Sequence, residues 1–521
     1  MPDIVFMFEV HQPYRLNRMF QKALEDIVAR KGRVNLDDLF EAYFDHPLNK
    51  YVIERVARRG YLPANQTILE QIDTFKYQPK KFKVSYSLSG VFIEQIERWA
   101  PEVLESFRQL ASTGMVEFLE QTYFHSLAAV FSDGELWDQI QEHRRLMKDV
   151  LGVEPVTIEN TEFIYNNHIA WLFDQWGYKA VFTEGTEKIL GWRSPNYVYK
   201  AKYSNIRVLM RNYRLSDDIG FRFGSRWWSE WPLTADKYAA WLAATGGDVI
   251  NICIDYETFG EHFPAETGIF EFLRWLPGEV LKYDNLNFAL PREVVEWHYP
   301  VDEIDVPENM TISWADLERD LTAWLMNVMQ WDAFNKIRAL EKPLKILGDE
   351  KYLRIWRLLM ISDHLYYMST KGAGPGDVHS YFSPYGSALE AYSIFATVFN
   401  DFQSRVYRRF EEERNRLKLM WARDLPDDKV FKFYYDWNKP LGWTARNMDE
   451  FLWCIEHAPI ECIEFHFRKR HFVDWIRFVV GDKELAKMIE NIRDISGEKL
   501  RQTLADIIRN RRDTIFRKSN I

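Results

Sequence analysis

The sequence predicts an α/β protein built on a barrel of parallel strands, followed by a helical region and a small α+β module. Short apolar runs alternate with amphipathic stretches, which is typical of parallel strands covered by helices. Polar residues gather where the apolar runs end, and α/β barrels carry their active sites at the carboxyl ends of the strands. A doubly wound sheet is the alternative, because it places its sites at the same strand ends.

The predicted strands are short and almost uninterrupted in their apolar character, as expected of strands that are buried on both faces. They are VFMFEV at 5–10, FKVSYSLS at 82–89, VEFLEQTY at 116–123, KAVFTE at 179–184 and DVINICID at 248–255. Between them, apolar residues at helical spacing predict helices in GVFIEQIERW, ELWDQIQEHRRLMKDV and NNHIAWLFDQWG.

From about residue 311 the apolar residues follow a helical period, so we predict a helical region that extends to about residue 424 and includes WADLERDLTAWLMN. A Gly/Pro-rich segment at 371–387 interrupts it and predicts a long loop. Beyond LPDDK, an α+β module is predicted with strands VFKFYYDW and IEFHF. The predicted domains are therefore a barrel at 1–300, a helical domain at 301–424 and a module at 425–521.

The composition excludes several classes of protein. A formal charge of −10 argues against a nucleic-acid partner. The three cysteines, Cys253, Cys454 and Cys462, provide neither a disulfide framework nor a cysteine-based zinc pattern. With no signal-peptide pattern at the start and no apolar run of about 18 residues, we expect a soluble cytoplasmic protein without membrane contact. No metal or cofactor is expected, and the oligomeric state stays open.

Two segments place carboxylates beside aromatic and amide residues: ENTEFIYNN at 159–167 and IDYETFGEHF at 254–263. Glycoside hydrolysis needs two carboxyl groups, one ionised and one protonated. Asp255, at a strand end, and Glu162, in a loop, suit that division of roles. The residues alone leave open that both are ordinary surface or capping carboxylates.

An ordered series of motifs resembles glycoside hydrolase family 57, in its α-amylase-type branch. The five motifs are VHQP at 10–13, SGVFIEQ at 89–95, NTEFIYNN at 160–167, DYETFGEH at 255–262 and SWADLERDLTAWLMN at 313–327. NYRLSDDIGFRF at 212–223, SDHLYYMSTK at 362–371 and GDVHSYFSPY at 376–385 are similar to segments of the same branch. The resemblance covers about residues 1–410.

The resemblance implies an incomplete (β/α)₇ barrel followed by a helical domain, and a retaining enzyme acting on α-1,4-glucans such as starch, glycogen or maltodextrin. It implies Glu162 as the nucleophile and Asp255 as the acid/base. Retention of configuration predicts carboxyl groups about 5 to 5.5 Å apart. The C-terminal segment resembles a small uncharacterised domain, to which we assign no chemistry.

The same resemblance implies a set of substrate-binding residues. His11 is expected to bind a sugar hydroxyl at the cleavage point, Glu120 and His125 either bind substrate or support residues that do, and Glu257 either orients Asp255 and raises its pKa or has a structural role. Residues of the helical domain are expected to close the cleft over the glucan, although Trp314 could equally be a core residue. The complete set is His11, Glu94, Glu120, His125, Glu257, Trp314, Asp316, Asp363 and His364.

Other functions remain open at this point. The motifs fit a 4-α-glucanotransferase or a branching enzyme as well as a hydrolase, although VHQP in place of an H-x-H form argues against the branching type. Glu159 stands where related amylases often carry a basic residue. A metal-dependent polysaccharide deacetylase needs a closely spaced His pair, which neither His11 nor His125 has. A non-catalytic glucan-binding or regulatory protein is the remaining alternative.

Overall fold

A computed structural model describes residues 2–371 and 383–516 of the chain. The chain divides into two compact units, Met1–Arg338 with Arg354–Phe399, and Ala339–Leu353 with Asn400–Ile521. The predicted boundaries at 300/301 and 424/425 remain predictions. Most of the predicted loop at 371–387 lies outside the described residues.

The first unit is organised around one mixed but mostly parallel sheet. Its strands are β1 Asp3–Val10, β2 Val84–Leu88, β3 Val116–Leu119, β4 Thr157–Glu159, β5 Ala180–Glu184, β6 Val198–Ala201, β7 Arg207–Arg211, β8 Val249–Asp255, β9 Asn287–Phe288 and β10 Glu303–Ile304. Parallel pairing joins β8–β1–β2–β3 on one side and β4–β5–β7–β8 on the other, and a single bridge from Glu120 to Ile158 connects β3 to β4.

Seven parallel strands thus form a ring with two weak seams. One seam is the bridge between β3 and β4, and the other is the β7–β8 contact, which is one residue pair, Arg211 with Asn251. This arrangement confirms the predicted α/β fold with an incomplete (β/α)₇ barrel. The antiparallel β6 and the short β9 and β10 extend the sheet beyond the ring.

Helices follow most barrel strands, and several begin at a side chain that accepts a backbone N–H, which replaces a hydrogen bond missing at a helix start. Ser89, Ser132 and Asn166 do this for the helices that begin at Gly90, Asp133 and Asn167. The helices are α1 Phe20–Lys31, α2 Leu36–Tyr43, α3 His46–Val56, α4 Leu62–Phe75, α5 Gly90–Trp99, α6 Pro101–Ser112, α7 Asp133–Leu151, α8 Asn167–Gln175, α9 Glu187–Leu190, α10 Tyr213–Gly220, α11 Ala235–Ala244, α12 Ile269–Leu281, α13 Pro291–Trp297, α14 Val328–Leu347, α15 Glu350–Leu359, α16 Ser362–Tyr366 and α17 Ala388–Ala422.

The first strand shows why the apolar runs lack alternation. Ile4, Phe6 and Phe8 pack in the cluster that includes the surrounding helices, whereas Val5 and Met7 pack with residues of other strands, such as Phe182. Since both faces of β1 are buried, an apolar residue is favoured at almost every position. The predicted strands at 5–10, 82–89, 179–184 and 248–255 are confirmed within two residues, whereas the third ends at Leu119.

The second unit contains a β-hairpin and a set of helices with a separate apolar core. Asp482 lies inside it, accepts two hydrogen bonds from Arg511 at 2.9 and 3.0 Å, and also accepts the indole N–H of Trp421 at 3.1 Å. This buried carboxylate is therefore paired. Parts of helices α14, α15 and α17 belong to this unit. Its other elements are β11 Phe431–Asp436, β12 Lys439–Ala445, α18 Met448–His457, α19 Ile460–Arg468, α20 His471–Trp475, α21 Lys483–Glu490 and α22 Gly497–Phe516.

Two predicted elements are wrong. IEFHF is part of helix α19, in which Cys462, Ile463 and His466 are buried at helical spacing, and β11 pairs instead with β12. Residues 314–327, predicted as helical, contain only a short 3₁₀ turn at Leu321–Ala323. Their backbone is held by bridges from Ile312 to Tyr165 and Asp320, which compete with helix formation. Among the described helices, none is both long and apolar enough to cross a membrane.

Candidate active site

The carboxyl ends of the barrel strands bring several predicted residues together. His11 follows β1, Ser89 follows β2, Glu162 lies in the turn after β4, and Asp255 is the last residue of β8. In a ring of parallel strands these ends meet at one face, which is where α/β barrels place their chemistry.

Glu162 occupies a 3₁₀ turn, Thr161–Phe163, with an unusual backbone. Its φ is 59° and that of Phe163 is 55°, in the left-handed region that side chains other than glycine seldom adopt. The indole Nε1–H of Trp314 donates to Oε2 of Glu162 at 2.6 Å, and Nε2 of His125 lies 3.3 Å from Oε1. The Glu162 side chain stays 22% exposed. Two donors therefore hold a carboxylate that a substrate can still reach.

Asp255 holds its proton more tightly than an ordinary aspartic acid does. Burial and then the negative charge of Glu162 raise its pKa to about 7, against the opposing charges of Arg211 and His125. A carboxyl group with that pKa carries a proton for much of the time at neutral pH. Acid/base chemistry at a sugar carbon requires two carboxyl groups, one protonated and one ionised.

His11 and His125 stack on one another with ring centroids 3.9 Å apart. His11 contacts Ser89 Oγ at 2.7 Å through Nδ1 and Asp363 Oδ2 at 3.0 Å through Nε2. Burial and the neighbouring His125 lower the pKa of His11 to about 4, so this ring is neutral near pH 7. Burial also opposes the charged form of His125, but the hydrogen bond and charge of Glu162 and the carboxylate of Asp363 outweigh it and raise its pKa. The pKa values of the two stacked rings are thus shifted in opposite directions.

Asp363 belongs to the same cluster because its helix is attached to the loop after β3. The backbone N–H of Ser362 donates to the carbonyl of His125 at 2.9 Å, next to a bridge between Ser126 and Ile361. His364, in contrast, is buried, and its Nε2 lies 3.1 Å from the carbonyl oxygen of Leu358.

Trp314 and Asp316 lie on the segment predicted as a helix, which instead crosses the site as an irregular loop. Besides the indole contact to Glu162, the backbone N–H of Trp314 donates to the carbonyl of Glu162 at 3.2 Å. Asp316 has a φ of 56° and accepts from Lys371 Nζ at 2.9 Å. Arg211 lies over the Trp314 ring, 5.5 Å from its centroid. Two hydrogen bonds from Trp314, one from its backbone and one from its indole ring, therefore fix the loop to Glu162, the candidate nucleophile.

Glu257 follows Asp255 by two positions and is hydrogen-bonded to two protein side chains. It accepts hydrogen bonds from the hydroxyl of Tyr61 and, at 3.3 Å, from Nε2 of Gln12. Burial and the charge of Asp255 raise the pKa of Glu257 to about 8, despite these donors. Tyr61 ends a π-helical turn, Ala57–Tyr61, a type of irregularity often found at functional sites.

Glu94 and Glu120 are satisfied by side chains outside this cluster. Glu94 forms a bidentate pair with Arg354, at 2.8 and 2.7 Å, and accepts from Tyr123. Glu120 is fully buried and accepts from His143, from Arg144 at 3.3 Å and from Tyr178 at 2.9 Å. The structure does not bring these two carboxylates to Glu162, and their contact with substrate stays a prediction.

Several residues of the site were missed by the sequence analysis. A charged group comprising Glu184, Arg211, Asp217 and Arg319 joins the ends of β5 and β7 to the Trp314 loop. Glu184 could have been recognised as a site residue because it ends a predicted strand. Arg319 could not, because its partners lie more than 100 positions away in sequence. Among the described residues, no group of three or more His, Cys, Asp or Glu side chains is arranged to hold a metal ion.

Comparison with known proteins places this site in a family. The sequence profile of Glycosyl hydrolase family 57 matches residues 5–307. A relative from Methanocaldococcus jannaschii, named "Putative alpha-amylase", is 47% identical over 443 residues, which cover 82% of this chain and 91% of the relative.

Solved structures resemble the fold at low identity. A branching enzyme of the same family from Thermococcus kodakaraensis has a TM-score of 0.56 at 13% identity, covering 81% of this chain and 92% of its own. A 4-alpha-glucanotransferase from Thermococcus litoralis has a TM-score of 0.47 at 17% identity; the match covers 70% of this chain and 51% of that longer protein. The profile match over more than half of the chain, together with the 47% identical relative, shows that the chain belongs to glycosyl hydrolase family 57 and is a glycosidase.

Proposed function

We propose that this glycosidase acts on α-1,4-glucans in the manner of an α-amylase, with retention of configuration, Glu162 as nucleophile and Asp255 as general acid and base. The observation that carries the proposal is the contrast between two carboxyls in one site. Glu162 is held by two donors and remains accessible, whereas burial and the charge of Glu162 raise the pKa of Asp255 to about 7.

In the first step, a carboxylate oxygen of Glu162 attacks the anomeric carbon while Asp255 gives its proton to the departing glycosidic oxygen. The glycosidic bond breaks and a glycosyl ester to Glu162 forms. Trp314 and His125 donate to Glu162 and so fix the direction of attack. His11 and Asp363, hydrogen-bonded to each other beside these groups, are proposed to bind sugar hydroxyls.

In the second step, the now ionised Asp255 accepts a proton from water, whose oxygen attacks the anomeric carbon and releases Glu162. Two inversions give net retention, and they require the two carboxyl groups to lie about 5 to 5.5 Å apart. Starch, glycogen and maltodextrin are the proposed substrates, supported by the name of the relative from Methanocaldococcus jannaschii and by the motif series. The proposed location is the cytoplasm.

Product analysis tests this proposal. Purified wild type and the Glu162→Ala variant are incubated with maltoheptaose and with soluble starch, and Glu266→Gln serves as control because Glu266 is exposed. We expect only shorter sugars from wild type and control, with the α-anomer formed first as seen by NMR, and no products from Glu162→Ala. Longer sugars would indicate transfer instead of hydrolysis. Untouched substrates would refute the α-glucan assignment, and full activity of Glu162→Ala would refute the nucleophile.

A further inference from the structure

Two buried carboxyl groups lie directly behind the candidate active site and take no part in the mechanism above. Glu9 is on β1, in register with Asp255 on β8, and Glu159 is the last residue of β4, three positions before Glu162. Both residues are buried, and the Glu9 side chain is only 4% exposed. Neither has an Arg or Lys partner among the described ion pairs, in contrast to Glu120. Buried acids without a cation need another means of avoiding two adjacent negative charges.

Glu159 accepts a hydrogen bond at each carboxyl oxygen, which favours its ionised form, although burial raises its pKa. Its Oε1 accepts the backbone N–H of Phe163 at 3.2 Å, and its Oε2 accepts the hydroxyl of Ser87 at 2.9 Å. Each oxygen therefore already faces a donor. A carboxylate of this kind has no need of a proton of its own.

Glu9 has a different environment. Its Oε1 accepts from Nε2 of Gln121 at 3.1 Å, but no donor among the described residues reaches its buried Oε2. Glu9 and Glu159 nevertheless belong to one hydrogen-bonded chain, because Nε2 of Gln121 donates to Oε1 of Glu9 at 3.1 Å and to Oγ of Ser87 at 2.7 Å, and Ser87 in turn donates to Glu159. Two such neighbouring carboxyl groups can form a hydrogen bond to each other only if one of them carries a hydrogen, and the oxygen of Glu9 that has no donor among the described residues is the atom left to carry it.

We propose that Glu9 is a neutral carboxylic acid whose Oε2–H donates to ionised Glu159, and that this carboxyl pair positions the nucleophile turn and His125. The inference about positioning rests on the proposed role of Glu162. Glu159 holds the amide of Phe163 and so supports a turn in which two successive residues have positive φ. Through Gln121, which accepts from His125 Nδ1 at 3.1 Å, Glu9 also helps to set the orientation of the ring that contacts Glu162.

The charges around the pair are consistent with one shared proton. Burial raises the pKa of Glu9 well above its ordinary value, and the charges of Glu159, Glu162 and Asp255 raise it further. His125 faces the pair from the loop after β3, 3.6 Å from Oε1 of Glu9. An additional charge on Glu9 would place a second uncompensated carboxylate beside Glu159, so the neutral form is favoured.

Infrared spectroscopy tests the protonation without relying on activity. The full-length protein is labelled with ¹³C-carboxyl glutamate, and its spectrum is recorded at pH 9, about one unit above the pKa of about 8 of Glu257. We expect a labelled carboxylic-acid C=O band that disappears in Glu9→Gln and persists in Glu266→Gln. A band unchanged in Glu9→Gln would show that Glu9 is ionised and overturn the proposal, whether or not the enzyme acts on glucans.

Kinetics test the positioning role. Glu9→Ala is expected to lower kcat at least about tenfold, and Glu9→Gln to restore most of that loss, because its amide N–H replaces the acid O–H. The pH profile of Glu9→Gln should keep its alkaline limb, since one neutral group replaces another. A limb displaced to lower pH would mean that a charge had been removed, and would contradict the proposal. If Glu9→Ala fails to fold by circular dichroism, the Glu9→Gln profile and the infrared band still decide.

Discussion

Two groups of carboxylates at the same end of the barrel differ in how their charge is balanced. Glu120 and Glu184, after β3 and at the end of β5, are surrounded by His143, Arg144, Arg211 and Arg319. Among the described residues, Glu9 and Glu162 have His125 as their ion-pair partner, and Asp255 is influenced by His125 and Arg211 without forming an ion pair with either. The first group has a cation for each carboxylate and the second does not.

This difference distinguishes carboxylates that stabilise the fold from carboxylates that are suited to catalysis, although both groups lie at the same edge of the sheet. A buried carboxylate with enough cations stays ionised and holds neighbouring elements together. Carboxylates that outnumber their cations are forced into different protonation states, which is the condition for acid/base catalysis. We therefore expect substitutions in the first group to affect folding and substitutions in the second to affect turnover.

Glu162→Gln is expected to have the largest effect on activity. Removing the nucleophile while keeping its shape should lower kcat on maltoheptaose by about 10⁴-fold or more. Thermal unfolding of the variant, followed by circular dichroism, should stay close to wild type. A loss of less than tenfold would place the nucleophile elsewhere.

Glu120→Gln should show the opposite pattern. The change leaves Arg144 without its carboxylate partner and His143 beside a neutral amide, at a site that is fully buried. Because the Arg144 side chain is 34% exposed, the main cost is that of unsatisfied hydrogen bonds at the buried carboxyl, about 1–3 kcal/mol, and the free energy of unfolding measured with denaturant should fall by that amount. The KM for maltoheptaose of the folded fraction should remain near that of wild type. A higher KM with unchanged stability would instead identify Glu120 as a substrate ligand.

Trp314→Phe tests the link between the irregular loop and the nucleophile. Phenylalanine keeps an aromatic ring near Arg211 but removes the N–H that donates to Glu162 at 2.6 Å. A hydrogen bond to a charged group contributes about 1.5–3 kcal/mol, so kcat should fall about 10- to 100-fold. Trp331→Phe, at an exposed tryptophan, provides the matched control. Equal kcat values for the two variants would remove Trp314 from the mechanism.

Asp255→Asn should stabilise the fold as it abolishes turnover. Because the folded pKa of about 7 lies above the ordinary value of 3.8, wild type loses stability as pH rises from about 4 to 7, and the loss is complete above pH 7. The full shift corresponds to about 4 kcal/mol, but Asp255 is only half-buried, so we expect a gain of about 1–2 kcal/mol at pH 8. Denaturant unfolding at pH 5 and pH 8 measures it, and an equal gain at both values would contradict the assigned pKa.

The sequence predicted the strand ends well because buried parallel strands leave continuous apolar runs. The same local signal misled at IEFHF, where Ile463, Phe465 and Phe467 alternate as in a strand although the segment is helical. The helix predicted at 314–327 was also wrong, because the conformation of this segment depends on Tyr165 and Glu162, which lie far away in sequence.

The sequence predicted which residues form the candidate site more fully than it predicted how they are arranged. His11, His125, Glu162, Asp255, Trp314 and Asp363 form one cluster, as the motif series suggested. The sequence could not show which carboxylates form ion pairs with arginine side chains. The partners of Glu120, Glu94 and Glu184 include Arg144, Arg354 and Arg319, and each assignment depends on the closed fold.

Trapping the glycosyl-enzyme tests the central claim most directly. Fluoride leaves without a proton donor, so Asp255→Asn should still be glycosylated by α-maltotriosyl fluoride, but should hydrolyse the ester slowly because no base activates water. Mass spectrometry of the digested variant should show one maltotriosyl adduct, on Glu162. An adduct on another carboxylate, or no adduct on the folded variant, would contradict the assignment of Glu162 as nucleophile and Asp255 as acid/base.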